Sequence, residues 1–174
     1  GEVLWTPPAD ARERFVVGRF LDWLRRERDL DFDGYDELWR WSVADLEGFW
    51  SAVWEFFEVR SHAPYEQVLR SREMPGAEWF PGARLNFAEH MVGRDEDLNA
   101  VAVVAYSQTR ERVELTFGDL REQVARARAG LQRLGVGPGD RVVAYLPNIP
   151  ETLVGFLATA SLGASAGANA TKSA

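Results

Sequence analysis

The chain has 174 residues, of which 46% are hydrophobic and 27% charged, a composition typical of a globular protein with one or two domains. Its net charge of −7 argues against nucleic acid or an anionic membrane as the main partner, because phosphate surfaces are bound by clustered Lys and Arg. It has no cysteine, signal-peptide pattern or apolar run near the roughly 20 residues of a membrane span, which excludes disulfide and thiolate chemistry and predicts a cytoplasmic protein.

Helices are predicted throughout the first half, which also contains all seven Trp residues. Thr6 and Pro7 resemble an N-cap and a first-turn proline, so they predict a helix that runs to about Arg28. A second helix is predicted in "SVADLEGFWSAVWEFF", with Ser42 as its cap and Asp45 in its first turn. Its apolar residues form more than one stripe, so we expect this helix to be packed on two sides.

The middle of the chain changes from helices to strands. After a loop marked by proline and glycine, residues 85–93 predict a short helix. Residues 100–106 ("AVAVVAY") and 112–116 ("RVELT") predict two strands, close enough in sequence to pair as a hairpin.

A longer helix follows, with Thr116 as its cap and Asp119 at its third position. Its apolar face is predicted to contain Leu120, Val124, Ala127, Leu131 and Leu134. The sequence "GVGPGD" ends this helix, and residues 141–146 ("RVVAYL") predict the next strand.

The last predicted helix has Asn148 as its cap, Pro150 in its first turn and Glu151 completing a capping box. Its inner face is predicted to hold Leu153, Phe156, Leu157 and Ala160, and Gly163 is its natural stop. Strand, helix, strand and helix in this order predict the opening of an α/β sheet with crossover helices. Two strands cannot cover the apolar residues of 141–146 and of this helix, so we expect an exposed apolar patch there.

The remaining motifs do not indicate catalysis. "GVGPGD" resembles a phosphate loop, but it follows a helix and opens a strand, whereas a nucleotide loop does the reverse. Lys172-Ser173 resembles the end of a Walker A motif, but Thr171 stands where glycine is needed. His62 and His90 stand alone, and acidic groups such as Asp36-Glu37 and Asp95-Glu96-Asp97 are interpreted as caps and connectors. We therefore predict no catalytic, cofactor-binding or metal-binding residue in this chain.

Several stretches together resemble the N-terminal part of the acetoacetyl-CoA synthetase family, a branch of the adenylate-forming acyl-CoA ligases. They include "YDELWRWSVADLEGFWSAVWEFFEV", "MPGAEWFPGARLNFAEHM" and "GVGPGDRVVAYLPNIPE". The last is shared widely among acyl-CoA ligases, whereas the first two are similar to the acetoacetyl branch. The resemblance runs from about Trp5 to Ala164. Segment 165–174 departs from it and has no apolar residue larger than alanine, so we expect no strand there.

The resemblance implies three regions: a helical cap segment at 1–95, the start of the ATP-binding (AMP-binding) α/β domain at 96–164, and a divergent tail at 165–174. It also implies an intact enzyme that uses ATP, Mg²⁺ and CoA to convert acetoacetate to acetoacetyl-CoA, with the rest of the ligase chain as partner and a small acyl substrate. This chain alone is expected to bind no cofactor and to be inactive. The alternative is a free-standing, non-catalytic interaction module derived from the same N-terminus.

Overall fold

A computed structural model describes residues 1–92 and 98–170, the last three of them as backbone only. The chain divides into two compact units, Gly1–Arg84 and Leu85–Ala174. The predicted acidic connector at 95–97 and the Lys172-Ser173 pair lie outside the described residues.

The first unit consists of four helices and a small antiparallel pair of strands. These elements are α1 (Ala11–Arg14), α2 (Val16–Arg28), α3 (Tyr35–Ala44), α4 (Leu46–Phe56), β1 (Leu69–Ser71) and β2 (Glu78–Trp79). Its core is formed where α2, α3 and α4 meet, around Phe20, Leu24, Leu38 and Ala52.

Helix α4 is packed on two sides, as its two apolar stripes predict. On one side Phe49 makes an edge-on contact with the ring of Phe20. On another side the rings of Trp54 and Phe80 lie 4.5 Å apart, and Trp50 contacts Trp79. Phe20 and Phe49 therefore belong to the core, where a ring buries a large apolar area, whereas Trp39 is exposed.

The first helix differs from its prediction, since Thr6 and Pro7 lie outside any helix. Pro8 follows Pro7, and a residue that precedes proline is disfavoured from helical geometry. Helix α1 starts only at Ala11, and the extended backbone of Phe15 separates it from α2. The two helices pack tightly, because a Cβ on Gly18 would lie only 1.9 Å from the carbonyl oxygen of Arg12.

The second helix boundary also differs from its prediction. Ser42 lies inside α3 and donates to the carbonyl of Trp39, so it caps nothing. Asp45 is the cap of α4, and its carboxylate accepts from the backbone N–H of Gly48 at 2.9 Å. Both residues had the correct chemistry for a cap, and the true boundary lies three residues later than predicted.

The second unit is an α/β arrangement, as predicted. Its elements are α5 (Phe87–Val92), β3 (Val101–Ala105), β4 (Val113–Thr116), α6 (Phe117–Arg133), β5 (Arg141–Leu146), α7 (Pro150–Ser161) and β6 (Ser165–Ala170). Strands β3 and β4 form the predicted antiparallel hairpin, while β5 and β6 pair in parallel through the crossover helix α7. The predicted short helix at 85–93 is confirmed by α5.

Helix α6 begins with the predicted cap. The Thr116 hydroxyl accepts from the Asp119 N–H at 3.1 Å, and the Asp119 carboxylate accepts from the Thr116 N–H at 2.9 Å. The Thr116 hydroxyl also donates to the Asp119 carboxylate at 2.6 Å. This bond first, and the bond from the Thr116 N–H second, lower the pKa of Asp119. Leu120 and Val124 are buried as predicted, but Leu134 is 82% exposed because α6 ends at Arg133.

Helix α7 is not capped by Asn148. Proline at the first helical position requires an extended residue before it, so Ile149 is the N-cap and its side chain makes no capping bond. The buried face is also turned relative to the prediction. Leu157 is buried with Val154 and Ala158, whereas Phe156 is 42% exposed and contacts the ring of Phe87.

The prediction that residues 165–174 form no strand is wrong for 165–170. Strand β6 pairs with β5 in continuous register, from Arg141 with Ser165 to Leu146 with Ala170. Parallel pairing uses backbone N–H and C=O groups, which small residues supply as well as large ones. A segment with weak strand propensity is therefore held in place by its neighbour.

Candidate interaction surface

The "GVGPGD" turn is a helix stop, as the sequence indicates. Gly135 and Gly139 both have φ of +86°, a conformation that side-chain-bearing residues rarely adopt. The Asp140 carboxylate accepts from the N–H of Gly137 at 2.8 Å, and the N–H of Gly139 donates to the carbonyl of Gly163. These backbone donors are directed to the chain itself, so the turn does not form a cradle for phosphate.

The outer face of β5 is an exposed apolar surface of the second unit. Val143 is 80% exposed and Tyr145 is 74% exposed, while Val142, Ala144 and Leu146 point to the opposite, helix-covered side. We call Val143 and Tyr145 the outer face of β5. The sequence predicted an exposed apolar patch at 141–146, and this surface confirms it. Within the described residues, β5 and β6 form a sheet with each other alone, so each also has an open edge.

The helix-covered side of the same sheet holds an apolar groove of about 340 Å³. It is bounded by Leu131 of α6, Phe156 of α7, Val142 of β5 and Ala166 of β6. The Thr159 hydroxyl, which lies in its wall, already donates to the carbonyl of Gly155 at 2.8 Å. The groove exists because β6 places small residues against α6 and α7, which leaves the packing incomplete.

A polar cleft of about 540 Å³ lies between the loop after β3 and the loop after β5. Its lining includes Tyr106, Arg110, Ile149 and Glu151. The Arg110 guanidinium lies 3.9 Å from the Glu151 carboxylate, so its charge is partly offset. Acidic and basic side chains are mixed in this cleft, and such mixing does not favour a polyphosphate.

Each of the two histidines has a contact with a backbone carbonyl. His90 Nδ1 lies 3.0 Å from the carbonyl oxygen of Asn86, one helical turn earlier. The backbone N–H of His62 donates to the backbone carbonyl of Arg84 at 2.8 Å. Among residues 1–92 and 98–170, no group of three or more His, Asp or Glu side chains is arranged to hold a metal ion. The described part of the chain also contains no helix long and apolar enough to cross a membrane.

Asn86 joins the ends of two helices, a role that the sequence analysis did not predict. Its side-chain amide donates to the carbonyls of Ala160 and Ser161, at 3.0 Å and 3.4 Å, while its Oδ1 accepts from the N–H of Glu89 at 3.3 Å. One side chain thus caps the start of α5 and donates to two carbonyls in the last turn of α7. The asparagine before a short helix was the available signal, but its partner lies 74 residues away.

Two stretches of the chain match known protein families. Residues 35–91 match the family described as the acetyl-coenzyme A synthetase N-terminus, and residues 90–167 match the AMP-binding enzyme family. The second match continues past Ala164 into β6, so the departure predicted at that residue is less abrupt than the sequence suggested.

Individual similar proteins give a narrower comparison than the two family matches. The chain is 39% identical over 168 residues to an acetoacetyl-CoA synthetase from Danio rerio, covering 94% of this chain and 24% of that protein. A solved acetoacetyl-CoA synthetase from Streptomyces lividans superimposes with a TM-score of 0.85 at 44% identity, covering 98% of this chain and 27% of that one. A malonamoyl-CoA synthetase from Penicillium aethiopicum is 34% identical, covering 94% of this chain and 23% of the relative.

These matches confirm the resemblance found in the sequence. The chain is homologous to the N-terminal part of acetoacetyl-CoA synthetases, and it spans about a quarter of the length of the curated relatives it matches.

Proposed function

We propose that this chain is the N-terminal scaffold of an acetoacetate–CoA ligase. The observation that carries the proposal is the 44% identity and TM-score of 0.85 to the Streptomyces lividans acetoacetyl-CoA synthetase across 98% of the chain. Both measures extend over the two units, so the similarity is not confined to the widely shared AMP-binding segment.

The proposed reaction of the whole enzyme has two steps. The carboxylate of acetoacetate attacks the α-phosphorus of ATP and releases pyrophosphate, which leaves an acyl-adenylate. The thiol of CoA then attacks the acyl carbon and displaces AMP, giving acetoacetyl-CoA. When bound to the whole enzyme, Mg²⁺ would supply charge neutralisation at the phosphate, and no residue described here is assigned to hold it. The AMP-binding family match supports the use of a nucleotide by the whole enzyme.

We expect no residue described here to hold ATP, Mg²⁺ or CoA in the whole enzyme. The glycine turn directs its donors to the chain itself, and the polar cleft pairs Arg110 with Glu151. No cluster of acidic or histidine side chains among residues 1–92 and 98–170 is arranged for a metal. We therefore derive no catalytic step from this chain and assign its residues to folding and support.

We assign the support role by region: 1–95 as the helical cap, 96–164 as the first strand–helix units of the AMP-binding domain, and 165–174 as a divergent tail. The proposed partner is the remainder of the ligase chain. The outer face of β5 supports this assignment, because exposed apolar patches on one face of a sheet mark surfaces that another element covers. We place the enzyme in the cytoplasm, without nucleic acid or membrane as a partner.

The acyl substrate is the least constrained part of the proposal. The malonamoyl-CoA synthetase relative is 34% identical, close to the 39% of the acetoacetyl-CoA synthetase from Danio rerio. Acetoacetate and malonamate have the same shape, since an amino group in one replaces a methyl group in the other. We place acetoacetate first because the Streptomyces lividans protein, which is 44% identical to this chain, is an acetoacetyl-CoA synthetase. Malonamate is the competing substrate to test beside it.

A chimera provides the test. Residues 1–164 of this chain replace the homologous segment of the Streptomyces lividans enzyme, and ATP–pyrophosphate exchange is measured with acetoacetate, malonamate and acetate. Acetoacetate-dependent exchange and acetoacetyl-CoA formation are expected. The same chimera with Val124→Asp serves as the matched control, because a buried unpaired charge should unfold the second unit and abolish exchange.

Each outcome separates the competing hypotheses. A folded but inactive chimera would contradict the scaffold assignment and favour the interaction module, whose observed support is the exposed outer face of β5. Exchange dependent on malonamate alone would retain the ligase class and replace the substrate. Exchange by the isolated 174-residue chain would show that catalytic residues lie within it.

A further inference from the structure

We draw no further inference here: the strongest candidate, the apolar groove between helices α6 and α7 and the inner side of strands β5 and β6, carries nothing because nothing in the structure shows what covers it.

Discussion

Replacing Asn86 with alanine tests a polar contact between residues 74 positions apart in the second unit. The substitution removes two donated bonds, to the carbonyls of Ala160 and Ser161, and one accepted bond, from the N–H of Glu89. The first two hold the end of α7, and the third caps α5. A single change therefore affects two helix ends that are distant in sequence.

The magnitude follows from the number and geometry of these bonds. An intramolecular hydrogen bond contributes about 0.5–1.5 kcal/mol net, and loss of an N-cap costs about 1 kcal/mol. Two of the three bonds are long, at 3.3 Å and 3.4 Å, and Asn86 is half-buried, so water can replace part of what is lost. We expect Asn86→Ala to lower the free energy of unfolding of the second unit by about 1–3 kcal/mol.

The assay must report on the second unit. All seven Trp residues precede position 80, so tryptophan fluorescence follows the first unit, and urea unfolding by circular dichroism is combined with amide exchange in α7. Asn86→Asp is the matched control, because it keeps the acceptor for Glu89 but cannot donate to α7. Its charge also lies unfavourably near a helix C-terminus, so it too should destabilise at neutral pH. An Asp variant as stable as the natural chain would refute the argument that the donated bonds matter.

Three further predictions use the same assays. Val124→Asp should abolish the protection of α6 and α7 amides from hydrogen exchange, because it buries an unpaired charge, whereas Val124→Ala should only weaken that protection. Equal effects of the two changes would show that Val124 is not in the core. Ala166→Val should raise the free energy of unfolding of the second unit by about 1 kcal/mol, because it fills the groove, while Ser165→Val on the other face should not. Equal gains from the two changes would indicate strand propensity as the cause. Because the pKa of Asp119 is lowered in the folded state, its stabilising effect is present above the unfolded pKa of about 4 and is lost as pH falls through the folded pKa. Thr116→Ala should flatten this acid dependence in unfolding measured across pH, and an unchanged slope would argue against the capping box as its source.

Local patterns predicted much of the fold, because several elements depend on bonds close in sequence. The capping box of Thr116 and Asp119 spans three residues, and the runs at 100–106 and 141–146 are rich in valine, so their structures follow from short segments. The errors at Thr6 and Asn148 have a common origin. In both cases the predicted helix includes a residue that precedes a proline, whereas the proline restricts that residue and shifts the helix start.

Contacts between residues far apart in sequence could not be predicted from local patterns. Asn86 has the residue type of a cap, but nothing near it in sequence indicates that its amide reaches α7. Strand β6 is the same kind of case, since Ser165 and Ala166 have little preference for a strand and are held there by pairing with β5. The prediction that the chain contains no catalytic residue stays a prediction, which the chimera tests.

Both faces of the sheet formed by β5 and β6 are incompletely covered, and β6 accounts for the helix-covered face. Its backbone completes the parallel pairing, but Ala166 adds little apolar area, so a groove remains on the helix side. On the other side, Val143 and Tyr145 have no covering element within the described residues. Burying a large apolar side chain is worth about 1.5–3 kcal/mol, so covering these two would contribute a substantial part of the roughly 5–15 kcal/mol that stabilises a domain. If the rest of the ligase supplies that cover, as we propose, residues 1–164 should be more stable in the chimera than alone. The same comparison with residues 1–174 would then show whether the small side chains of β6 weaken the joined sheet.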